Sequence, residues 1–156
     1  VVYDVTNPAQ FTRVGFYETR NPRGVDASGN YAYVADYETG VRVIDVSNPT
    51  APFEVGAFVP PDMIVHVAVS GARVYLFDRN GTFRVVNVFD PNAPLEIGRY
   101  ILPKPYVPRG GESVGGMAVV GDTIHVADGT GGYFILRFTG GAGAPSSWLY
   151  LPMVVR

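Results

Sequence analysis

Residues 41–58, VRVIDVSNPTAPFEVGAF, join two apolar runs through a stretch that contains two prolines. The runs are rich in β-branched and aromatic residues, which predicts two strands. Proline cannot donate to a strand ladder, so Pro49 and Pro52 predict a turn between them. Nearly the same phrase occurs at 1–17, VVYDVTNPAQFTRVGFY, and at 83–100, FRVVNVFDPNAPLEIGRY. Three occurrences in 156 residues indicate a repeat architecture.

The repeat has a nearly constant period. Three sets of residues recur at intervals of 41 and 42: Asp4, Asp45 and Asn87; Pro8, Pro49 and Pro91; Gly15, Gly56 and Gly98. An earlier part of the unit, SGNYAYVAD at 28–36, returns as SGARVYLFD at 70–78 and as VGDTIHVAD at 120–128. The second of these intervals is 50 rather than 42, so about eight residues are inserted, and we place them within 101–116.

Each unit contains four short apolar segments separated by glycine and proline. Four short antiparallel strands in about 42 residues are typical of a propeller blade. The sequence therefore predicts an all-β fold, a β-propeller of four-stranded antiparallel blades with about three and a half blades present. Because closed propellers have about four to eight blades, we expect a partial ring or one completed by other chains.

The blade boundaries follow from the repeat. We expect a single propeller region over 1–156, with a half blade at 1–22 and complete blades at 23–62 and 63–113. The last blade takes 114–156, and its segment 146–156 forms a C-terminal strand or a tail. Val1 is not an initiator Met and VVYDV resembles the middle of a blade, so we expect processing or truncation at the start.

Composition narrows the class of function. The net charge is −2 without a basic stripe, so we expect no nucleic-acid partner. The chain has no cysteine, which leaves neither a disulfide framework nor a thiolate metal site. No apolar run approaches the roughly 20 residues that a membrane helix needs, so we expect no membrane span.

The phrase GVRVIDVSNPTAPFEVGAF, at 40–58, together with SGNYAYVAD resembles the LVIVD-repeat family. The similarity is close over 25–58, good over 67–100 and weaker over 118–138, where GGYFILRF keeps the apolar pattern but loses the aspartate. The resemblance implies a β-propeller, usually within exported or cell-surface proteins of bacteria and archaea. It implies no enzymatic activity, because the family has no shared catalytic motif.

Few residues are candidates for chemistry. Asp36, Asp78 and Asp128 recur at strand ends, and turn capping explains them better than a calcium site because each is a whole blade from the next. His125 occupies the position of Tyr33 and Tyr75, which indicates a packing role. We therefore expect no catalytic residue, no metal and no cofactor. Asn80-Gly81-Thr82 matches a glycosylation sequon, although Asn-Gly also predicts a hairpin turn.

The inserted loop is where the repeat departs most from its pattern. It holds Tyr106, Arg109 and Glu112 within seven residues, on a backbone stiffened by Pro103, Pro105 and Pro108, and such residues are common at binding surfaces. A pairing of Arg109 with Glu112 across the loop is the structural alternative. His66, aligned with Gly24 and Gly116 on the first strand of a blade, could face the central channel, or it could be a packed or exposed side chain. We predict ligand binding by Tyr106, Arg109, Glu112 and His66.

These observations favour an exported or cell-surface propeller that acts as a protein-binding or structural scaffold, with a protein partner or neighbouring subunits. One alternative is a propeller enzyme that acts on glycans at the channel mouth, for which Asp26, Glu112 and His66 are the candidate groups. Another is a subunit of a filament or surface assembly that uses the exposed edges of an incomplete ring. A surface glycan is a further possible partner.

Overall fold

The computed structural model describes residues 1–102, 116–121, 123–128, 132–138 and 148–151. This part of the chain is all-β, and it contains no helix long and apolar enough to cross a membrane. The strands are β1 (Val2–Asp4), β2 (Thr12–Gly15), β3 (Gly24–Ser28), β4 (Tyr31–Ala35), β5 (Val41–Asp45), β6 (Phe53–Phe58), β7 (Ile64–Ser70), β8 (Arg73–Asp78), β9 (Thr82–Asn87), β10 (Leu95–Ile101), β11 (Gly116–Val120), β12 (Thr123–Asp128), β13 (Gly132–Phe138) and β14 (Trp148–Leu151).

The strands form antiparallel sheets in simple chain order. β3 to β6 make the second blade, β7 to β10 the third and β11 to β14 the fourth. β1 pairs with β2 alone, and these two strands are the first blade, which corresponds to the outer half of the others. The predicted all-β propeller architecture is confirmed, and in the described residues it forms part of a ring. A strand in the C-terminal segment, Trp148–Leu151, pairs with β13.

Neighbouring blades meet along their first strands. β7 contacts both β3 and β11, which places these three strands innermost in the described part of the propeller. One buried apolar cluster fills the space between the second and third blades, and another fills the space between the third and fourth. Along β8, Val74 and Leu76 belong to the first cluster, while Tyr75 and Phe77 belong to the other. Burial on both faces explains why the strands are apolar throughout instead of alternating.

The outermost strand of a blade carries a bulge at the same repeat position in the first three blades. Val14, Val55 and Ile97 are each the extra residue opposite the partner strand, and a glycine follows each of them. The glycine has a steric reason in two cases. The carbonyl oxygen of Pro49 occupies the space that a β-carbon at Gly15 would need, and that of Pro91 does the same at Gly56.

The loops before the outermost strands are fixed by side chain to backbone hydrogen bonds. Asp45 accepts from the N–H of Ser47 at 2.8 Å, and the repeat-equivalent Asn87 accepts from Phe89 at 2.9 Å. Asn48 accepts from the N–H of Thr50 at 3.1 Å. These Asx turns show that the recurring polar residues of the phrase set turns, and they leave the loop with little conformational freedom.

Candidate functional site

Three of the four predicted ligand-binding residues, Tyr106, Arg109 and Glu112, lie outside the described residues, so their role stays a prediction. The fourth, His66, is half-buried on β7, one of the innermost strands. Gly24 lies against the β7 backbone, and a β-carbon there would be 3.8 Å from the Cα of His66. His66 is therefore near the centre of the propeller at the seam between the second and third blades.

Asp26, a candidate of the enzymatic alternative, joins two blades. Its Oδ2 accepts a hydrogen bond of 2.8 Å from the backbone N–H of Val69. The bond runs from β3 to β7, so it links the innermost strands of the second and third blades. The carboxylate therefore stabilises blade stacking.

The recurring aspartates at the β4–β5 and β8–β9 turns are buried. Asp78 accepts from the N–H groups of Asn80 and Thr82 at 2.9 and 2.8 Å, which confirms the predicted turn capping. Asp36 works differently, because it accepts from the N–H groups of Arg20 and Asn21 in the connection that precedes β3. Among the described residues, no three His, Cys, Asp or Glu side chains lie close enough to hold a metal ion.

His125 is half-buried on β12 and both of its ring nitrogens have polar neighbours. Nε2 lies 3.0 Å from the hydroxyl of Thr123, and Nδ1 lies against the hydroxyl of Tyr133. The residue thus takes the place of Tyr33 and Tyr75 in the repeat but adds a polar contact network to its packing role.

A set of charged residues, of which the sequence analysis singled out only the aspartates, recurs in the second and third blades. Its members are Asp36, Arg42 and Glu54 in the second blade, and Asp78, Arg84 and Glu96 in the third, each pair separated by 42 residues. In both blades the arginine lies on the third strand and pairs with the glutamate on the fourth. The two copies differ in their surroundings.

In the third blade the arginine is enclosed by carboxylates. Arg84 is only 4% exposed, and its Nη1 lies 2.9 Å from Glu96. Its Nη2 lies 3.4 Å from Asp62 and 3.5 Å from Asp78. Burial raises the pKa of Asp78 above its ordinary value, and the hydrogen bonds from Thr82 and Asn80 offset only part of that effect.

In the second blade the equivalent arginine borders an open cleft of about 390 Å³. The residues that line it are Tyr17, Glu18, Thr19, Arg20, Asp36, Thr39, Arg42 and Glu54. Arg42 Nη1 lies 3.0 Å from Glu54 Oε1, and both side chains are 27% exposed. The Tyr17 hydroxyl donates to the other oxygen of Glu54 at 2.7 Å. This charged cleft is the candidate functional site of the described residues.

Hydrogen bonds in the charged cleft shift the pKa values of two of its groups, Asp36 and Tyr17. Burial alone would raise the pKa of Asp36, but the hydrogen bonds from Thr39, Asn21 and Arg20 outweigh it and the pKa is lowered. The hydrogen bond that Tyr17 donates to Glu54 is the main reason that the pKa of its phenol is raised. The cleft thus presents fixed carboxylates, a fixed phenol and the Arg42 guanidinium.

The sequence holds a detectable sign of this site. The arginine and glutamate recur at 42, which marks them as parts of the blade, whereas Arg20 and Asp62 occupy one repeat position with opposite charge. A charge reversal at equivalent positions of two blades is a signal of a local difference. The cleft itself depends on how the connection 17–23 folds over the blade, which the repeat does not specify.

A family model described as the LVIVD repeat matches residues 20–59 and 64–101, half of the chain. These bounds cover the second and third blades almost completely. No curated protein sequence is significantly similar to the chain.

Solved structures with a similar fold include several propellers. BamB from Moraxella catarrhalis has a TM-score of 0.55 at 13% identity, over 73% of this chain and 32% of its own. A europium-containing methanol dehydrogenase has a TM-score of 0.57 at 15% identity, and the match covers 86% of this chain and 26% of the dehydrogenase chain. A chain in a structure of S. cerevisiae Dbp5 bound to Nup159 and Gle1 has a TM-score of 0.57 at 8% identity, and the match covers 95% of this chain and 41% of that chain. At these identities the likeness shows the fold, and this chain spans less than half of each neighbour.

Proposed function

The chain belongs to the LVIVD-repeat family of β-propellers, and from that premise we propose that it is an exported or cell-surface module of a bacterium or archaeon that serves as a non-catalytic scaffold for protein binding. Export and surface location are what the family resemblance implies. A protein partner fits the charge of −2 better than a nucleic acid does.

Rigid stacking of the blades supports a scaffold role. The loop around Pro91 packs its backbone against Gly56 of the preceding blade, and the same contact joins Pro49 to Gly15. Asp26 adds a hydrogen bond between the innermost strands. A surface held in this way loses little conformational entropy when a partner binds, which favours affinity.

The observation that carries the proposal is the exposure of three large apolar side chains at or beside these fixed loops. Phe89 is 86% exposed, Leu95 is 64% exposed and Phe53 is 55% exposed, and we call these three residues the outer-loop patch. Phe53 and Leu95 are repeat-equivalent first residues of β6 and β10, so they lie at the same end of neighbouring blades. Exposed aromatic and aliphatic side chains grouped on rigid backbone are typical of protein interaction surfaces.

The test is site-specific photo-crosslinking in the organism that makes the protein. A photoreactive phenylalanine replaces Phe89, and a matched protein carries it at Arg79, an exposed residue of the β8–β9 turn at the opposite end of the third blade. We expect a discrete cross-linked protein at position 89 that is absent at position 79, and protease treatment of intact cells should degrade the chain. The absence of an adduct at 89, equal adducts at both positions, or a chain protected inside intact cells would overturn the proposal.

A further inference from the structure

Two repeat-equivalent arginines differ in the number of carboxylates around them. Among residues 1–102, which the structure describes throughout, Arg84 forms ion pairs with Asp62, Asp78 and Glu96. Arg42 forms its ion pair with Glu54, and Nη1 is the atom involved. The third blade therefore shows that this arrangement of strands can place three carboxylates around one guanidinium.

The difference originates in the connection before the blade. Asp62 lies in the connection that precedes β7, and it extends a carboxylate to Nη2 of Arg84. The residue 42 positions earlier is Arg20, which lines the charged cleft beside Arg42 and is exposed. The second blade therefore has a cation at the position where the third blade has its third carboxylate.

We propose that the charged cleft binds a carboxylate group of an incoming molecule between Arg20 and Arg42. The bound carboxylate takes the role that Asp62 has beside Arg84. Its source is either a small organic acid or an acidic side chain of a partner protein, and in both cases the recognised group is the same. This inference goes beyond the scaffold proposal and uses residues outside the outer-loop patch.

The geometry of Arg42 suits this role. A guanidinium has five N–H donors in a planar fork, and the contact with Glu54 uses Nη1, so the fork retains donors for a second carboxylate. Tyr17 donates to Glu54 and holds that carboxylate in place. The side chain of Arg42 is therefore oriented before a ligand arrives, and its 27% exposure leaves it reachable from the cleft.

The carboxylates already present do not prevent binding of another. In the third blade, three carboxylates lie within 3.5 Å of the single guanidinium of Arg84. The charged cleft has two arginines, Arg20 and Arg42, and three carboxylates, those of Glu18, Asp36 and Glu54. An added carboxylate would therefore give it a formal charge of −2, the same as that of Arg84 with its three carboxylates in the third blade. The cleft volume of about 390 Å³ is within the range of small-ligand sites.

The experiment is a titration of the full chain at low salt, followed by calorimetry and by amide NMR shifts of residues 17–20 and 39–42. The probes are succinate and a tetraglutamate peptide, with succinamide and a tetraglutamine peptide as the uncharged controls. We expect the acids to bind and their amides not to bind. Binding of succinate identifies a small acid as sufficient, whereas binding of the peptide alone identifies an acidic protein segment.

The decisive variant is Arg20→Asp, which supplies the carboxylate from the chain itself as Asp62 does in the third blade. Arg20 is exposed, so we expect an unchanged thermal unfolding temperature and an affinity for the acid at least about tenfold weaker, the loss expected when a charge-assisted hydrogen bond is removed. Arg13→Ala, which removes an exposed arginine outside the cleft, should bind as the unaltered protein does. Undiminished binding by the Arg20→Asp variant, an equal loss in the Arg13→Ala variant, or no binding of either acid would overturn the proposal.

Discussion

Gly56 on the outermost strand of the second blade lies directly against the carbonyl oxygen of Pro91 in the third blade. The β-bulge at Val55 places the glycine there, and the Asx turns of the third-blade loop place the proline. The same pair of features recurs at Gly15 and Pro49. Backbone contact between successive blades therefore depends on a missing side chain, which gives the repeated glycine a structural purpose.

Replacing Gly56 by alanine should destabilise the protein because the new β-carbon would collide with the Pro91 carbonyl. Since the obstacle is backbone rather than a flexible side chain, either the bulge or the loop must move. We expect a loss of about 1–3 kcal/mol in the free energy of unfolding, measured by urea titration. Gly116→Ala is the matched control, because no described atom lies within 4 Å of its added β-carbon. Equal losses in the two variants would contradict this interpretation.

Replacing Arg84 by methionine should be far more destabilising than replacing Arg42. Loss of the Arg84 guanidinium leaves the buried Asp78 carboxylate without its cation, and breaking a buried ion pair in this way costs about 3–5 kcal/mol. Arg42 is 27% exposed, so Arg42→Met should cost about 1 kcal/mol or less. Chemical unfolding of both variants measures the difference, and similar losses would show that the two arginines have equivalent surroundings.

The repeat-forming residues were predictable from sequence because they act locally or recur at a fixed interval. Asp45 caps its own turn, and the tolerance of Gly29 for a positive φ is an intrinsic property of glycine. The steric requirement for a glycine at position 56 was not predictable, because Gly56 contacts a proline that lies 35 residues later and in another blade. The periodicity therefore identifies the positions that the fold requires, but it does not identify the contacts that make them necessary.

The charged cleft was less accessible to sequence reasoning for a related reason. Arg42 and Arg84 are identical by residue type and repeat position, and their different burial arises from the connections that contain Arg20 and Asp62. Those connections are irregular, so periodicity gives no information about their path. The predicted ligand-binding roles of Tyr106, Arg109 and Glu112 stay predictions, because these residues lie outside the described part of the chain.

Removal of the Asp26 carboxylate should loosen the seam between the second and third blades. Asp26→Ala deletes the acceptor for the Val69 N–H, whereas Asp26→Asn keeps an oxygen in the same place. We expect the alanine variant to lose about 1–2 kcal/mol of unfolding free energy and the asparagine variant to lose less. Hydrogen exchange gives a local readout, because the Val69 amide should exchange faster in the alanine variant alone. Equal protection of that amide in both variants would show that the bond is not formed.

The contribution of Asp36 to stability should disappear in acid. Its pKa in the folded protein lies below the ordinary value of 3.8, because hydrogen bonds from Thr39 and from the N–H groups of Asn21 and Arg20 outweigh the effect of burial. Between the folded value and 3.8 the unfolded chain binds more protons, so acid favours unfolding. The contribution is therefore fully present above 3.8 and is lost as the pH falls through the folded pKa.

The measurement compares the unaltered protein with Asp36→Asn by urea unfolding over a series of pH values from about 6 down to about 2.5. Above the ordinary pKa of 3.8 the unaltered protein should be the more stable by a constant amount, and the difference should shrink below it. Asp4, Asp45 and Asp90 also have lowered pKa values because of hydrogen bonds from Thr6, Ser47 and Asn92, but they titrate equally in both proteins and cancel in the difference. A difference that stays constant through this pH range would mean that the carboxylate charge of Asp36 does not hold the connection to the β4–β5 turn.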